Sequence, residues 1–353
     1  MDKKILIINT GGTISMVSSK SDKGIGDVLK PSKSWEEVIH NYQFLKDLKV
    51  DYTSLSKIID SSDMDYTIWL EIAKIIEKNY DKYKGFIILH GTDTMAYTAS
   101  ALSFMLKNLK KTVILTGAQR PIQEIRSDGL QNLLTSIEII EKQENECENL
   151  KEEEILPNIP EVCIFFRDNL FKGNRARKLN SNNYFGFSSP NYLPLGEAGS
   201  TVKIFKNRLL KMNNENFYVD YEMNPNVIMM DVFPSFNPEI FESIFTKNKK
   251  IKGLVLRTYG SGNTPKNERF LKVIKEIIDS KVVILNITQC TVGRVETGLY
   301  ESNAFLTKLG VVNGHDITPE SAITKLMYLL GKYKDINEIK VLLRKSIAGE
   351  LTK

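Results

Sequence analysis

Three short stretches gather hydroxyls or carboxylates, two of them directly beside glycine. "KKILIINTGGTISM" carries Thr10 and Thr13 around Gly11-Gly12, "LHGTDTM" carries Thr92, Asp93 and Thr94 after Gly91, and "DSSDMD" begins Asp60-Ser61-Ser62. A threonine hydroxyl becomes a nucleophile once a neighbour takes its proton. The N–H groups at a helix start can receive an anion or a developing oxyanion. Each stretch also has a plain structural reading, because glycine tolerates positive φ and Thr, Ser and Asp cap helices. From these residues alone both readings stay open.

Other chemistries find less support. "TGGTISMVSSKSDKG" satisfies neither the P-loop pattern G-x-x-x-x-G-K-[ST] nor the dinucleotide fingerprint G-x-G-x-x-G. Of three histidines, His40 falls in a charged amphipathic stretch and His315 in the loop "VNGHDI". Only His90 stands at a strand end, where a core or orienting role is the default, so a serine-hydrolase arrangement is poorly supplied. No two His or Cys residues share a metal-ligand spacing, and no metal or cofactor is expected.

The elements that must hold these residues are legible as alternation. Strand-like runs ("KILIIN", "GFIILH", "TVILTG", "EVCIFF") alternate with helix-period segments ("TIWLEIAKIIEKNYDKY", "MAYTASALSFMLKNL", "DGLQNLLTSIEIIEK"), the pattern of a parallel sheet wrapped by helices. A second series starts near Val227 with "NVIMMDVF", "GLVLRTYGSGN" and "KVVILN", and predicts helices over about 265–280, 321–330 and 336–343. The expected fold is therefore two α/β domains: a larger, mostly parallel doubly wound domain over 1–190 and a smaller one over 227–353. The Asn-, Pro- and Gly-rich stretch 191–226 between them predicts a linker with one hairpin. In such sheets ligands bind beyond the carboxyl ends of the strands, where "NTGGTIS" and "HGTDTM" fall, while "DSSDMD" precedes a helix.

The composition narrows the class. The 353 residues are 42% hydrophobic and 26% charged, with 48 Lys+Arg against 43 Asp+Glu and no basic stripe, so no nucleic-acid partner is expected. Cys147, Cys163 and Cys290 are far apart and odd in number, which suits a reducing compartment. A strand starting within a few residues of Met1 leaves no room for a secretion signal, and no apolar run approaches the roughly 18 residues of a membrane span. A soluble, cytoplasmic protein without a membrane partner is expected. The segment "EKQENECENLKEEEILPNIP" reads as a solvated surface insertion.

In order, "INTGGTIS", "DSSDM", "LHGTDTMAYTASALSF", "ILTGAQRPI", "SDGLQNLL", "KGNRARKLNS", "SPNYLPLGE", "LRTYGSGNTP" and "NITQCTVGRVETGLY" resemble the bacterial L-asparaginases over nearly the whole chain. The absent signal peptide and the "LRTYGSGNTP" and "NITQC" segments look like the cytoplasmic, type I branch. The resemblance implies hydrolysis of the side-chain amide of asparagine through an acyl-threonine on Thr13, with Thr92, Asp93 and Lys178 as the companion catalytic residues. It implies that Ser61 and Ser62, with Asp60, line the pocket for the amino-acid end of the substrate, together with Thr92 and Asp93. Whether Lys178 acts as a base or as a fixed cation that orients Asp93 and polarises Thr92 stays open. A homodimer or homotetramer is implied as well.

There are departures. Many relatives carry a tyrosine in the loop after TGGTI, whereas "SMVSSKSDKGIGDVL" has none and its nearest match is Gly24-Ile25. Some type I members have a second, regulatory asparagine site; Arg257 and Cys290 match two of its residues, while Arg177 departs from the usual Thr beside the catalytic lysine. Competing functions are a glutaminase-asparaginase of mixed specificity, a tRNA-dependent amidotransferase subunit, for which an N-terminal extension is missing, and a non-catalytic amino-acid-binding relative.

Overall fold

The structure, a computed structural model, describes residues 3–20, 27–32, 34–38, 42–144, 151, 154–296 and 301–352. The chain forms two compact units, Met1–Asp220 and Tyr221–Lys353. Among the described residues no helix is long and apolar enough to cross a membrane.

The first unit is built on eight strands: β1 (Ile5–Gly11), β2 (Val50–Ile59), β3 (Gly85–Leu89), β4 (Val113–Thr116), β5 (Val162–Phe166), β6 (Asn169–Lys172), β7 (Gly196–Ala198) and β8 (Val202–Ile204). Their order across the sheet is β8-β7-β6-β5-β4-β3-β1-β2. The five strands β2, β1, β3, β4 and β5 run parallel, and β6, β7 and β8 add antiparallel partners. The chain first places β2 on one side of β1 and then β3 on the other. That reversal opens a crevice at the carboxyl ends of β1 and β3.

The central strands are apolar without alternation because both faces are covered. Ile5, Ile7, Ile87, Leu89 and Ile114 share a core with Leu133, Ile137 and Ile140 of the helix α3 (Gly129–Glu141). Their sequence neighbours Leu6, Ile8, Phe86 and Ile88 are buried as well. Two earlier helices flank the site: α1 (Tyr66–Asn79), capped by the Asp65 carboxylate accepting from Thr67 N at 2.7 Å, and α2 (Met95–Met105).

The second unit carries four parallel strands, β9 (Val227–Asp231), β10 (Gly253–Thr258), β11 (Val283–Thr288) and β12 (Val312–Asn313), in sequence order. Its helices are α4 (Pro238–Lys247), α5 (Glu268–Asp279), α6 (Glu301–Leu309), α7 (Pro319–Lys332) and α8 (Ile336–Arg344). In α5 the buried Phe270, Val273, Ile274 and Ile277 repeat at helical spacing, and Asn267 caps it by accepting from Phe270 N at 2.7 Å.

Three features of the structure go beyond the sequence reading. The stretch expected as a linker over 191–226 begins instead as sheet: the β7–β8 hairpin extends the large sheet, with Leu195 fully buried, and the boundary between the units falls after Asp220. Its polar surface belongs to the outermost strands, which are half solvated. The strand β2 was not read from "VDYTSLSKII", because an edge strand is mostly half-buried and carries no apolar run. The helix α6 was likewise not anticipated. His40, Cys147 and the Gly24-Ile25 pair lie outside the described residues.

Candidate active site

The three hydroxyl-bearing stretches meet through backbone. Gly11 and Gly12 leave β1 with φ of 119° and 81°, which favour glycine. A Cβ on Gly12 would lie 2.4 Å from Gly91 Cα, and one on Gly91 would lie 2.4 Å from Ser61 Oγ. A side chain at either position would wedge the loops apart. The ends of β1 and β3 are further tied by Thr10 Oγ1, which donates to Leu89 O at 2.9 Å, and Asn9 Oδ1 receives Gly11 N at 3.0 Å. Thr13, half-buried, then opens a 3₁₀ turn over Thr13–Ser15. Beyond it the backbone folds into a two-stranded ribbon, Met16–Lys20 with Asp27–Pro31.

After β3, neither Thr92 nor Asp93 caps a helix. The cap position of α2 is Thr94, and its hydroxyl does not cap either but donates to Ser61 O at 2.7 Å. Thr92 and Asp93 are thereby left for another partner, Lys178. Its Nζ donates to Thr92 Oγ1 at 2.8 Å and to Asp93 Oδ1 at 2.6 Å. Since Thr92 Oγ1 accepts from a cation, its own O–H is polarised and aimed elsewhere. Asp93 stays 63% exposed while Lys178 is 17% exposed, so the carboxylate retains acceptor capacity toward a ligand.

Lys178 stands on a short ribbon, Arg177–Lys178 paired with Phe187–Ser188, that follows a buried platform. Gly173 packs so closely that a Cβ would meet Val162 O at 2.8 Å and Ala99 Cβ at 3.0 Å, which seats the "GNR" turn against β5 and α2. Arg175, 1% exposed, donates to Asn191 O at 2.9 Å and stacks its guanidinium 5.4 Å from the Tyr192 ring. Just before it, Lys172 pairs with Glu161 in full burial.

In the "DSSD" stretch the capping reading holds for Asp60. Its Oδ1 accepts from Ser62 N and Ser62 Oγ, each at 2.9 Å, and these bonds, the backbone one foremost, hold its carboxyl below the usual carboxylate range. Ser61 is buried against Gly91, and Ser62 is exposed beside it. The sequence reading gave Thr94 no role of its own and His90 only a core or orienting one. Thr94 was visible only as the third polar residue of "TDT". His90 is fully buried, with Nδ1 2.6 Å from Gly91 O and Nε2 2.8 Å from Thr98 Oγ1.

Arg257 and Cys290 lie in the second unit. Arg257, the penultimate residue of β10, pairs with Asp231 of β9 at 3.1 Å; Cys290 is exposed two residues beyond β11, its N–H bonded to Thr288 Oγ1 at 3.0 Å.

Comparison with known proteins decides the family. Residues 4–210 match the model of the asparaginase N-terminal domain, and residues 226–343 match that of the glutaminase/asparaginase C-terminal domain. The chain belongs to the asparaginase family. Among its family relatives, L-asparaginase 1 of Escherichia coli (strain K12) is 37% identical over 99% of this chain and 98% of that protein. The crystal structure of L-asparaginase I from Vibrio cholerae superimposes with a TM-score of 0.86 at 35% identity, covering both chains completely. The 60 kDa lysophospholipase of Mus musculus is 35% identical over 99% of this chain, but this chain spans 63% of that protein. The two-domain α/β architecture is that of the structural relatives in this asparaginase family.

Proposed function

We propose that the protein hydrolyses the side-chain amide of L-asparagine to L-aspartate and ammonia through an acyl-threonine intermediate. The observation that carries this reading is Lys178 Nζ bridging Thr92 Oγ1 and Asp93 Oδ1, on the same rim where Gly12 abuts Gly91 and so brings Thr13 to the crevice. Thr13 Oγ1 attacks the amide carbon as its proton passes to Thr92 Oγ1, while the Thr92 hydroxyl proton moves on to the amide nitrogen. The tetrahedral intermediate collapses as the amide nitrogen leaves as ammonia, protonated from the Thr92 hydroxyl. Water then attacks the Thr13 ester and returns the hydroxyl. Lys178 acts as the cation that polarises Thr92 and orients Asp93, a proton path of the kind that contributes about 10²- to 10⁴-fold.

Substrate selection follows from charge. Asp93, exposed and held on one oxygen, receives the α-ammonium group, and the hydroxyls of Ser61 and Ser62, with Asp60 beside them, line the α-carboxylate end. Asparagine and glutamine differ by one methylene, about 1–3 kcal/mol in a pocket, so a mixed glutaminase-asparaginase is the second reading, favoured by the glutaminase/asparaginase match of the C-terminal domain. A cytoplasmic homodimer or homotetramer is part of the proposal, as is a regulatory role for Arg257 and Cys290. The test is ammonia release from L-Asn, D-Asn and L-Gln by purified protein, with Thr13→Ala as control. Turnover of L-Asn above the other two, lost in Thr13→Ala, supports the reading; full turnover by Thr13→Ala overturns the nucleophile.

A further inference from the structure

His90 has no part in the proton path above, yet it is fully buried directly behind it. Its two ring nitrogens have partners of different kinds. Nδ1 faces the Gly91 carbonyl at 2.6 Å, and a carbonyl only accepts, so Nδ1 carries the proton. Nε2 is then the acceptor, and the Thr98 hydroxyl donates to it at 2.8 Å. Thr98 in turn accepts from the Trp69 indole N–H at 3.0 Å. The direction of this chain, from Trp69 on α1 through Thr98 on α2 to His90 at the end of β3, is fixed at its far end, because indole is donor-only. Burial pushes the imidazole down to about 4, so the ring stays neutral and the direction holds at physiological pH.

The last link bears on the reaction. The described peptides are all trans, so the Gly91 C=O and the Thr92 N–H point in opposite directions across one plane. With the carbonyl drawn inward to His90, the Thr92 N–H is turned the opposite way, away from the imidazole. The same residue carries the Oγ1 that Lys178 holds. From the other side Gly117 closes in, where a Cβ would lie 2.5 Å from His90 O and 3.5 Å from Thr92 Cγ2.

We propose that His90 is a positioning residue: through its Nδ1–H bond to the Gly91 carbonyl it sets the Gly91–Thr92 peptide plane, and so aims the Thr92 N–H and hydroxyl at the substrate amide. The indole, the Thr98 hydroxyl and the imidazole form a polar line through the core whose purpose is to fix that plane. This rests on the amide-hydrolase reading, and its test is separable from it.

The experiment compares His90→Leu, which removes the donor, with His90→Asn, whose side-chain amide nitrogen reaches the place of Nδ1. Misaligning a catalytic group costs about 10²-fold. His90→Leu is therefore expected to lower kcat about 30- to 100-fold with KM within about 3-fold of wild type, and His90→Asn to recover kcat to within about 5-fold. Equal kcat in the two folded variants overturns the proposal. A second measurement needs no variant: ¹⁵N NMR of histidine-labelled wild type reads the His90 tautomer, Nδ1–H being expected and Nε2–H overturning the proposal even where His90→Leu does not fold. Absence of ammonia release by wild type defeats the hydrolase reading, while the tautomer result stands on its own.

Discussion

The two sheets of this chain are made alike and end differently. Both run parallel strands to a polar carboxyl rim, but the first reverses direction at β1 and the second proceeds β9-β10-β11-β12 without reversal. At the second rim several polar groups satisfy one another: Thr258 Oγ1 donates to Asn286 Oδ1 at 2.7 Å, Thr288 Oγ1 to Gly260 O at 2.6 Å, and Gln289 Nε2 to Val232 O at 2.6 Å and Arg257 O at 2.8 Å. At the first rim Asp93 is held on one oxygen and left open. The ion pairs repeat the contrast. Lys325 and Glu350, 2.5 Å apart, are both fully buried; the ammonium also reaches Leu343 O and Lys345 O, and the carboxylate receives the N–H groups of Ile347 and Ala348. The Lys325–Glu350 pair has its sites filled, whereas Asp93 keeps acceptor capacity for a ligand.

The largest effect that tests this contrast is Thr13→Ala. Loss of the nucleophile is expected to reduce turnover by about 10⁴-fold or more, measured as ammonia release, with the circular dichroism spectrum retained. A comparable loss from a change at the second rim would break the contrast. Next, Lys178→Met is expected to cost about 10²- to 10⁴-fold in turnover yet within about 1 kcal/mol of stability, because its partner is exposed. Lys325→Met should do the opposite. It strands the buried Glu350 and is expected to cost about 3–5 kcal/mol by denaturant unfolding, part of which Glu350→Leu in the same chain restores.

A smaller effect concerns pH. Burial lowers His90 from 6.5 to about 4, so the unfolded chain binds the proton first as pH falls. The stability carried by the neutral ring is fully present above about pH 6.5 and is lost on the way to about pH 4, on the order of 3 kcal/mol in all. Unfolding titrations across that window should slope more steeply for wild type than for His90→Asn; equal slopes would remove the assignment. Smallest, Arg257→Ala is expected to keep kcat within about 2-fold while altering the sigmoidicity of the asparagine saturation curve. Hyperbolic kinetics in wild type at every concentration would end the regulatory role.

Much of the first rim was legible because its signals are local. A continuous apolar run entering Gly11-Gly12 marks a buried strand and a tight exit, and the same holds for "GFIILHG"; the motif order supplied the rest. The residue types alone did not reveal which side chains cap. Thr92, Asp93 and Asp60 are equally good caps by type, and only the third dimension separates them: Thr94 spends its hydroxyl on Ser61 O, Asp60 folds back on Ser62, and Lys178 arrives from 85 residues away to claim Asp93. β2 was missed because an edge strand shows half its side chains to solvent, and the partners of His90, Thr98 and Trp69, were not legible because they come from two other elements.

The stacked contact of Gly12, Gly91 and Ser61 divides the site into what selection can vary and what it cannot. No methyl group fits between the loops, so neither glycine offers a route to a new substrate. Change must enter through residues one step outside that contact, such as Ser62 and Asp60, whose side chains face solvent. A library randomised there would explore specificity with the catalytic alignment untouched, whereas one that included Gly12 or Gly91 would return mostly inactive protein.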